Sequence, residues 1–223
     1  MKLVYPEWEK QIVWENGRYP VVALENRACH FRIVQELSEA AAGGDTRFVL
    51  SEGEHLLDMG RKAAFVPSPW SMDFSGRAVM TAFYSRVKKE TQRPEIWAAA
   101  QETSAAVSRM AELLEESFPF PLAYDAEPDL SALMKAIHLQ PEKEEGTLAE
   151  RMLAWMELCT ELLGTACFFF CGFRGFMPEE ELRGLYHTAF LKEYYFVLIE
   201  NTCPAILQEE DVFTIDEDLC QIF

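Results

Sequence analysis

The stretch YPVVAL at Tyr19–Leu24, followed by ENRACHFRIVQEL at 25–37, decides the fold class. The continuous apolar run predicts a buried strand, and Asn26 is a suitable N-cap for a helix directly after it. Apolar residues repeat there at helical spacing: Phe31, Val34, Leu37 and Ala41. RFVL at Arg47–Leu50 predicts the next strand, so the segment forms a βαβ-type unit.

Two further apolar runs near the C-terminus predict buried strands, CFFFC at Cys167–Cys171 and YFVLI at Tyr195–Ile199. Between these α/β segments, helical periodicity dominates from residue 75 to residue 164. The chain therefore reads as an α/β head built from residues 1–74 and 165–223, with an inserted all-helical leg of residues 75–164. Strands this continuously apolar favour a mostly parallel sheet with helices on both faces.

The sequence contains neither GxxxxGK[ST] nor GxGxxG, the glycine-rich patterns that bring backbone close to phosphates. The first strand-to-helix junction, LENRACHF at 24–31, has no glycine at all. No nucleophile signature surrounds any of the four histidines. The residues therefore point to no catalytic site.

The composition gives ambiguous information about partners. The 223 residues carry a net charge of -17, which argues against a nucleic-acid partner when it is averaged over the whole surface. Binding depends on the local field, however, so a basic patch on an acidic protein remains possible. No signal-like or membrane-spanning apolar segment is visible, and we expect a cytoplasmic protein with reduced cysteines and no membrane contact.

Three groups of residues are candidate binding sites: a pair of cysteines, a cluster of carboxylates and a pair of lysines. Cys167 and Cys171 are too far apart along a strand to share a zinc ion. Carboxylates surround the turn FPFPLAYDAEPD at 118–129. Oxygen ligands converging from a loop suit calcium, but composition alone favours a solvated acidic turn over a metal site. The residues are Glu115, Glu116, Asp125, Glu127 and Asp129. Lys88 and Lys89 end a predicted helix, where the helix dipole favours them without any ligand.

An ordered set of short segments along nearly the whole chain resembles the Csn-two family, the accessory proteins of type II-A CRISPR adaptation. The segments are MKLVYP at the start, Leu24-Glu25-Asn26, FVLS at 48–51, DFSGR at 73–77, Tyr124-Asp125 followed by Asp129-Leu130, Leu133 and Lys135, Ile199-Glu200, and Asp216-Glu217-Asp218.

This resemblance implies a P-loop-like α/β head without a phosphate loop, a helical leg, and no enzymatic activity. It implies a homotetrameric ring that holds double-stranded DNA and prefers DNA ends, with the CRISPR integrase and the type II effector nuclease as partners. It implies calcium held by Asp125 and Glu127 together with Glu115, Glu116 or Asp129. Lys135 matches the family's basic residue after the acidic turn and is expected to face DNA. Weaker DNA-binding candidates are Arg27, Arg32, Lys88 and Lys89.

A ring can be acidic outside and basic inside, which would reconcile a DNA partner with the net charge of -17. Two alternatives stay open at this point. One is a degenerate P-loop-like nucleotide hydrolase, which a phosphate-release assay would detect. The other is an acidic protein-interaction scaffold without DNA binding, which a duplex gel-shift series would distinguish from the ring.

Overall fold

The computed structural model describes residues 1–15, 17–125, 127–142, 145–203 and 205–223. The chain divides into two compact units, a first unit of residues 1–74 with 143–223 and a second unit of Ser75–Glu142. The second unit interrupts the first in sequence, as expected for a helical insertion into an α/β head.

The first unit contains all ten strands and four of the helices that the structure describes. The strands are β1 (Lys2–Val4), β2 (Ile12–Val13), β3 (Tyr19–Leu24), β4 (Val49–Glu52), β5 (His55–Leu57), β6 (Ala63–Val66), β7 (Cys167–Cys171), β8 (Tyr195–Glu200), β9 (Glu210–Ile215) and β10 (Gln221–Ile222). The helices are α1 (Arg27–Ala41), α2 (Met59–Lys62), α6 (Leu148–Leu163) and α7 (Glu179–Leu191).

The main sheet has the strand order β10-β9-β3-β8-β7-β6. β9, β3, β8, β7 and β6 run parallel, and β10 pairs antiparallel with β9. β1, β2, β4 and β5 form a separate antiparallel sheet with the order β2-β1-β4-β5. The mostly parallel sheet predicted from the apolar runs is confirmed, because the three runs quoted above supply β3, β7 and β8.

Both faces of the main sheet are buried, and β7 contributes side chains to the core on each face. Phe168 and Phe170 pack into one core with residues of α6 and α7. Cys167 and Phe169 pack into the other core with residues of α1 and the small sheet. Alternate side chains of a strand point to opposite faces, so a strand covered on both sides has to be apolar throughout.

α1 forms where it was predicted, but a different stripe of it faces the sheet. Asn26 is the N-cap, and its side-chain oxygen accepts a hydrogen bond from the Cys29 backbone N–H at 3.0 Å. The buried residues are Cys29, Ile33, Leu37 and Ala40. Phe31, which the periodicity placed on the inner face, is 69% exposed. The helix carries two overlapping apolar stripes, and contact with the sheet selects the one with smaller side chains.

The second unit consists of three helices, namely α3 (Arg77–Glu90), α4 (Pro94–Ser117) and α5 (Leu130–Ala136). Pro94 occupies the start of α4, where its missing N–H costs nothing. Asp129 caps α5 by accepting a hydrogen bond from the Ser131 N–H at 2.9 Å. Pro94 thus marks the start of α4, and the Asp129 cap marks the start of α5.

The boundary of the helical insertion differs from the predicted leg of residues 75–164. α6 begins with the predicted capping box, in which Thr147 and Glu150 bond reciprocally. Its apolar face, however, packs into the α/β core, since Met152, Met156 and Cys159 are fully buried there. The second unit accordingly ends at Glu142, and α6 belongs to the head. Among the described residues, no helix has both the length and the apolarity of a membrane span.

Candidate nucleic-acid interface

The negative charge of the chain is distributed unevenly between its two units. The second unit holds seven of the 20 Lys and Arg residues and ten of the 37 Asp and Glu residues, which leaves it a net charge of -3. The first unit therefore carries the other -14. Because a DNA backbone is repelled by acidic surface, the helical unit is the better place to look for a duplex-binding face.

One face of α3 combines cations with hydroxyl groups. Arg77 and Lys88 lie at its two ends, 11 residues apart, which is about 16 Å along a helix. Lys135 of α5 lies on the same groove, which has a volume of about 420 Å³. The groove is lined by Arg77, Met80, Thr81, Tyr84, Ser85, Lys88, Ser131 and Lys135. We call Arg77, Lys88 and Lys135 together the cationic face.

Lys135 is held in place by an aromatic ring. Its Nζ lies 5.0 Å from the centroid of the Tyr84 ring, within the range of a cation–π contact. The Tyr84 hydroxyl donates a hydrogen bond to the Leu139 carbonyl at 2.7 Å, which fixes the ring against the segment that follows α5. The Lys135 ammonium is exposed to solvent, and the ring contact restricts the conformations of the side chain. An exposed cation in a restricted position is suited to binding a phosphate.

The described residues form no ion pair with the cations of this face, whereas Arg86 and Arg93 of the same unit are paired. Arg86 pairs with Glu90 at 2.6 Å, and Arg93 pairs with Glu90 at 2.8 Å. Arg77, Lys88 and Lys135 belong to none of the ion pairs in the described part of the chain. The charges of Arg77 and Lys135 are therefore available to a ligand, and that of Lys88 is available in part.

One carboxylate moderates the positive field of this face. Hydrogen bonds from Ser131, assisted by the charge of Lys88, hold the pKa of Asp129 below its usual value. Asp129 is thus ionised at neutral pH and lies within the electrostatic reach of Lys88. It offsets part of the Lys88 charge, and Arg77 and Lys135 supply the rest of the positive field.

The five DNA-binding residues predicted from sequence and resemblance are divided between the two units. Lys88 and Lys135 meet in the groove, and Lys89 is exposed beside Lys88 in the last turn of α3. Arg27 and Arg32 belong to α1 of the other unit. Arg32 is also paired with Glu7 at 2.5 Å, so its charge is already partly neutralised.

Arg77 is the member of the cationic face that sequence reasoning missed. The signal was present in the helical spacing, because positions 77, 81, 84, 85 and 88 fall on one face of α3. This spacing does not by itself predict a binding face, since only the fold shows that Lys135 of α5 lies on the same surface as Arg77 and Lys88.

The predicted calcium ligands do not converge within one chain. Glu127 and Asp129 line a polar groove beside α4, with Lys88 among its other lining residues. Asp125 is exposed in the loop before them, and Glu115 and Glu116 lie in the last turn of α4. Over the described ranges, no three Asp, Glu, His or Cys side chains come together as a metal site would require. The described part of one chain therefore supplies no assembled set of calcium ligands, and the calcium site stays a prediction.

The junction between β3 and α1, which lacks a glycine-rich loop, is held by hydrogen bonds within the chain. Glu25 N–H donates to the Ile215 carbonyl, and the Asn26 side chain caps the first turn of α1. The Asn26 amide also donates to the Glu217 carbonyl at 2.8 Å. The Glu25 and Cys29 N–H groups at this junction are thus bonded to protein atoms and not open to a phosphate.

The buried thiols lack the properties of catalytic cysteines. Burial raises the pKa of Cys159 to about 12 and that of Cys171 to about 11, and burial also raises the pKa of Cys167. A nucleophilic cysteine needs the opposite shift, because the thiolate is the reactive form. These three thiols behave as apolar core groups.

The model of the family described as CRISPR-associated protein (Cas_Csn2) matches residues 42–219. A solved structure described as the crystal structure of Stu0660 of Streptococcus thermophilus aligns with a TM-score of 0.59 at 14% sequence identity, covering 97% of this chain and 75% of that chain. No curated protein matches the sequence. At this identity the structural likeness concerns the fold.

Proposed function

Because the chain belongs to the CRISPR-associated Cas_Csn2 family, we propose that it is a non-catalytic protein that binds double-stranded DNA during acquisition of new spacers in type II-A immunity. The DNA is held by a homotetrameric ring that prefers duplex ends. The CRISPR integrase and the type II effector nuclease of the locus are its functional partners.

The observation that carries the proposed DNA binding is the cationic face of Arg77, Lys88 and Lys135. Three cations without ion pairs in the described structure surround one groove on the less acidic unit. Along α3 they span a distance that reaches more than one phosphate of a DNA strand, and contacts with phosphates carry no sequence information. Binding should therefore depend on phosphate charge and be independent of sequence.

Exposed apolar side chains on the same unit support the proposed assembly. Met110 is 58% exposed and Leu113 is 59% exposed on the C-terminal half of α4. Leu114, Phe118 and Phe120 nearby are also about half exposed. Apolar patches of this kind commonly mark protein interfaces, and association of copies through α4 would cover them. A ring of four copies would bring twelve charges of the cationic face around one duplex.

The test of this proposal is the mass of the particle in solution. In multi-angle light scattering we expect a species of four chains of 25.6 kDa each, and a heavier species containing one duplex when a short blunt DNA fragment is added. A monomer that gains no mass with DNA would contradict the proposal.

The calcium implied by the family resemblance stays a prediction, since one chain alone does not assemble the ligands. If calcium supports the assembly, adding a chelator or making the variant Asp125→Ala with Glu127→Ala should lower the mass measured without DNA. The matched control is Glu142→Ala, which removes a carboxylate of the same unit outside the acidic turn. An assembly of equal mass in all these samples would contradict the calcium prediction and leave the DNA prediction standing.

A further inference from the structure

Three large apolar side chains protrude from successive loops at the carboxyl edge of the main sheet. Trp70 is 75% exposed after β6, Phe176 is 59% exposed after β7, and Ile206 is 66% exposed after β8. β6, β7 and β8 are neighbours in the sheet, so the loops that follow them are neighbours as well. The rings of Trp70 and Phe176 touch edge to face, with centroids 5.4 Å apart. We call these three residues the aromatic loop face.

A buried polar network fixes two of these loops to each other. The Arg174 N–H donates to the Glu200 carboxylate at 2.8 Å, and the Arg174 guanidinium pairs with Glu210 at 2.8 Å. The guanidinium also donates to the Ala205 carbonyl, next to Ile206. Arg174 therefore ties the turn that carries Phe176 to the loop that carries Ile206. The exposed face is preorganised, which lowers the entropic cost of binding a partner.

The charge around this face is negative. Glu179 and Glu180 are exposed in the first turn of α7, shortly after Phe176. The charge of Arg174 is neutralised by its ion pair with Glu210, and Arg183 is paired with Glu209 at 2.9 Å. A nucleic-acid backbone would be repelled there, whereas a basic protein surface would be attracted. The side chains protrude from the surface, which suits contact with another protein better than enclosure of a small molecule.

We propose that the aromatic loop face docks a basic protein segment that carries a large apolar side chain. The apolar side chain packs against Trp70 and Phe176, and lysines or arginines of the segment approach Glu179 and Glu180. Exposed aromatic residues held in a fixed geometry are typical anchors of protein interfaces. The inference goes beyond the proposed DNA binding, because none of its residues belongs to the cationic face.

The test uses two labelled peptides of equal charge, one of lysines interspersed with leucines and one with serine at each leucine position. In fluorescence anisotropy at physiological salt, the leucine peptide should bind the wild-type protein more tightly than the serine peptide. The variant Trp70→Ala with Phe176→Ser should weaken binding of the leucine peptide about tenfold or more. Both residues are exposed, so the variant should keep its thermal midpoint.

Leu191→Ser is the matched control, because Leu191 is an exposed apolar residue of α7 outside the face. This variant should bind the leucine peptide as the wild type does. Equal binding of the leucine peptide by the wild type and the Trp70→Ala, Phe176→Ser variant would overturn the proposal, as would equal binding of the two peptides. Duplex affinity of the same variant should stay unchanged, so failure here is distinguishable from failure of the proposed DNA binding.

Discussion

Replacing Arg77, Lys88 and Lys135 together by alanine is expected to abolish measurable duplex binding at physiological salt. Each cation that neutralises a phosphate contributes about -0.9 to the slope of log affinity against log salt concentration. The triple variant should therefore flatten that slope by about three for each chain in contact with DNA, and each single variant by about one. The measurement is a salt titration of affinity for a short duplex.

The matched control for this experiment removes cations of the same unit that are already paired. Arg86→Gln with Arg93→Gln changes the net charge as much as Lys88→Gln with Lys135→Gln does, but it acts on arginines bound to Glu90. We expect the first pair of substitutions to leave affinity and slope nearly unchanged and the second pair to reduce both. Equal effects of the two pairs would show that only total charge matters and would contradict a specific cationic face.

Arg174→Met is expected to lower the free energy of unfolding of the first unit by about 3–5 kcal/mol, the usual cost of leaving one partner of a buried ion pair alone. The Glu210 side chain is fully buried and the Arg174 side chain is 11% exposed. Tyr186 and the Leu207 N–H would still donate to Glu210, at 2.7 Å and 2.8 Å, but its charge would lose its counterion. Urea-induced unfolding followed by circular dichroism measures the difference.

Two further variants separate loss of the pair from loss of packing. Adding Glu210→Gln to Arg174→Met removes the unpaired charge and should recover most of the lost stability. Arg183→Met breaks an exposed pair with Glu209 and should cost about 1 kcal/mol or less. A double variant as unstable as Arg174→Met alone would contradict the proposed cause.

The α/β class and the main strands could be predicted from the sequence because their physical signal is local. Strands buried on both faces are apolar almost throughout, as β7 (CFFFC) shows directly, and β8 departs from this at its last residue, Glu200. The capping box of α6 was equally visible, since Thr147 and Glu150 act within one turn. Such features depend on neighbouring residues alone.

Features that depend on tertiary contact were predicted less well. α6 has the periodicity of a bundle helix, and only its packing against Phe168 and Phe170 shows that it belongs to the head. The inner stripe of α1 was misplaced because Phe31 and Ile33 are both apolar, and the sheet decides which of them is buried. Lys88 and Lys135 were identified individually, while their meeting with Arg77 required the arrangement of α3 and α5.

The most direct test of the central claim compares linear and covalently closed circular duplexes of the same sequence. A ring with its cations turned toward a shared channel must thread onto DNA over an end. We therefore expect tight binding to the linear duplex, weak binding to the closed circle, and recovery of tight binding once the circle is cut. Equal affinity for both forms would show that this protein grips DNA from the side and would contradict the proposed ring.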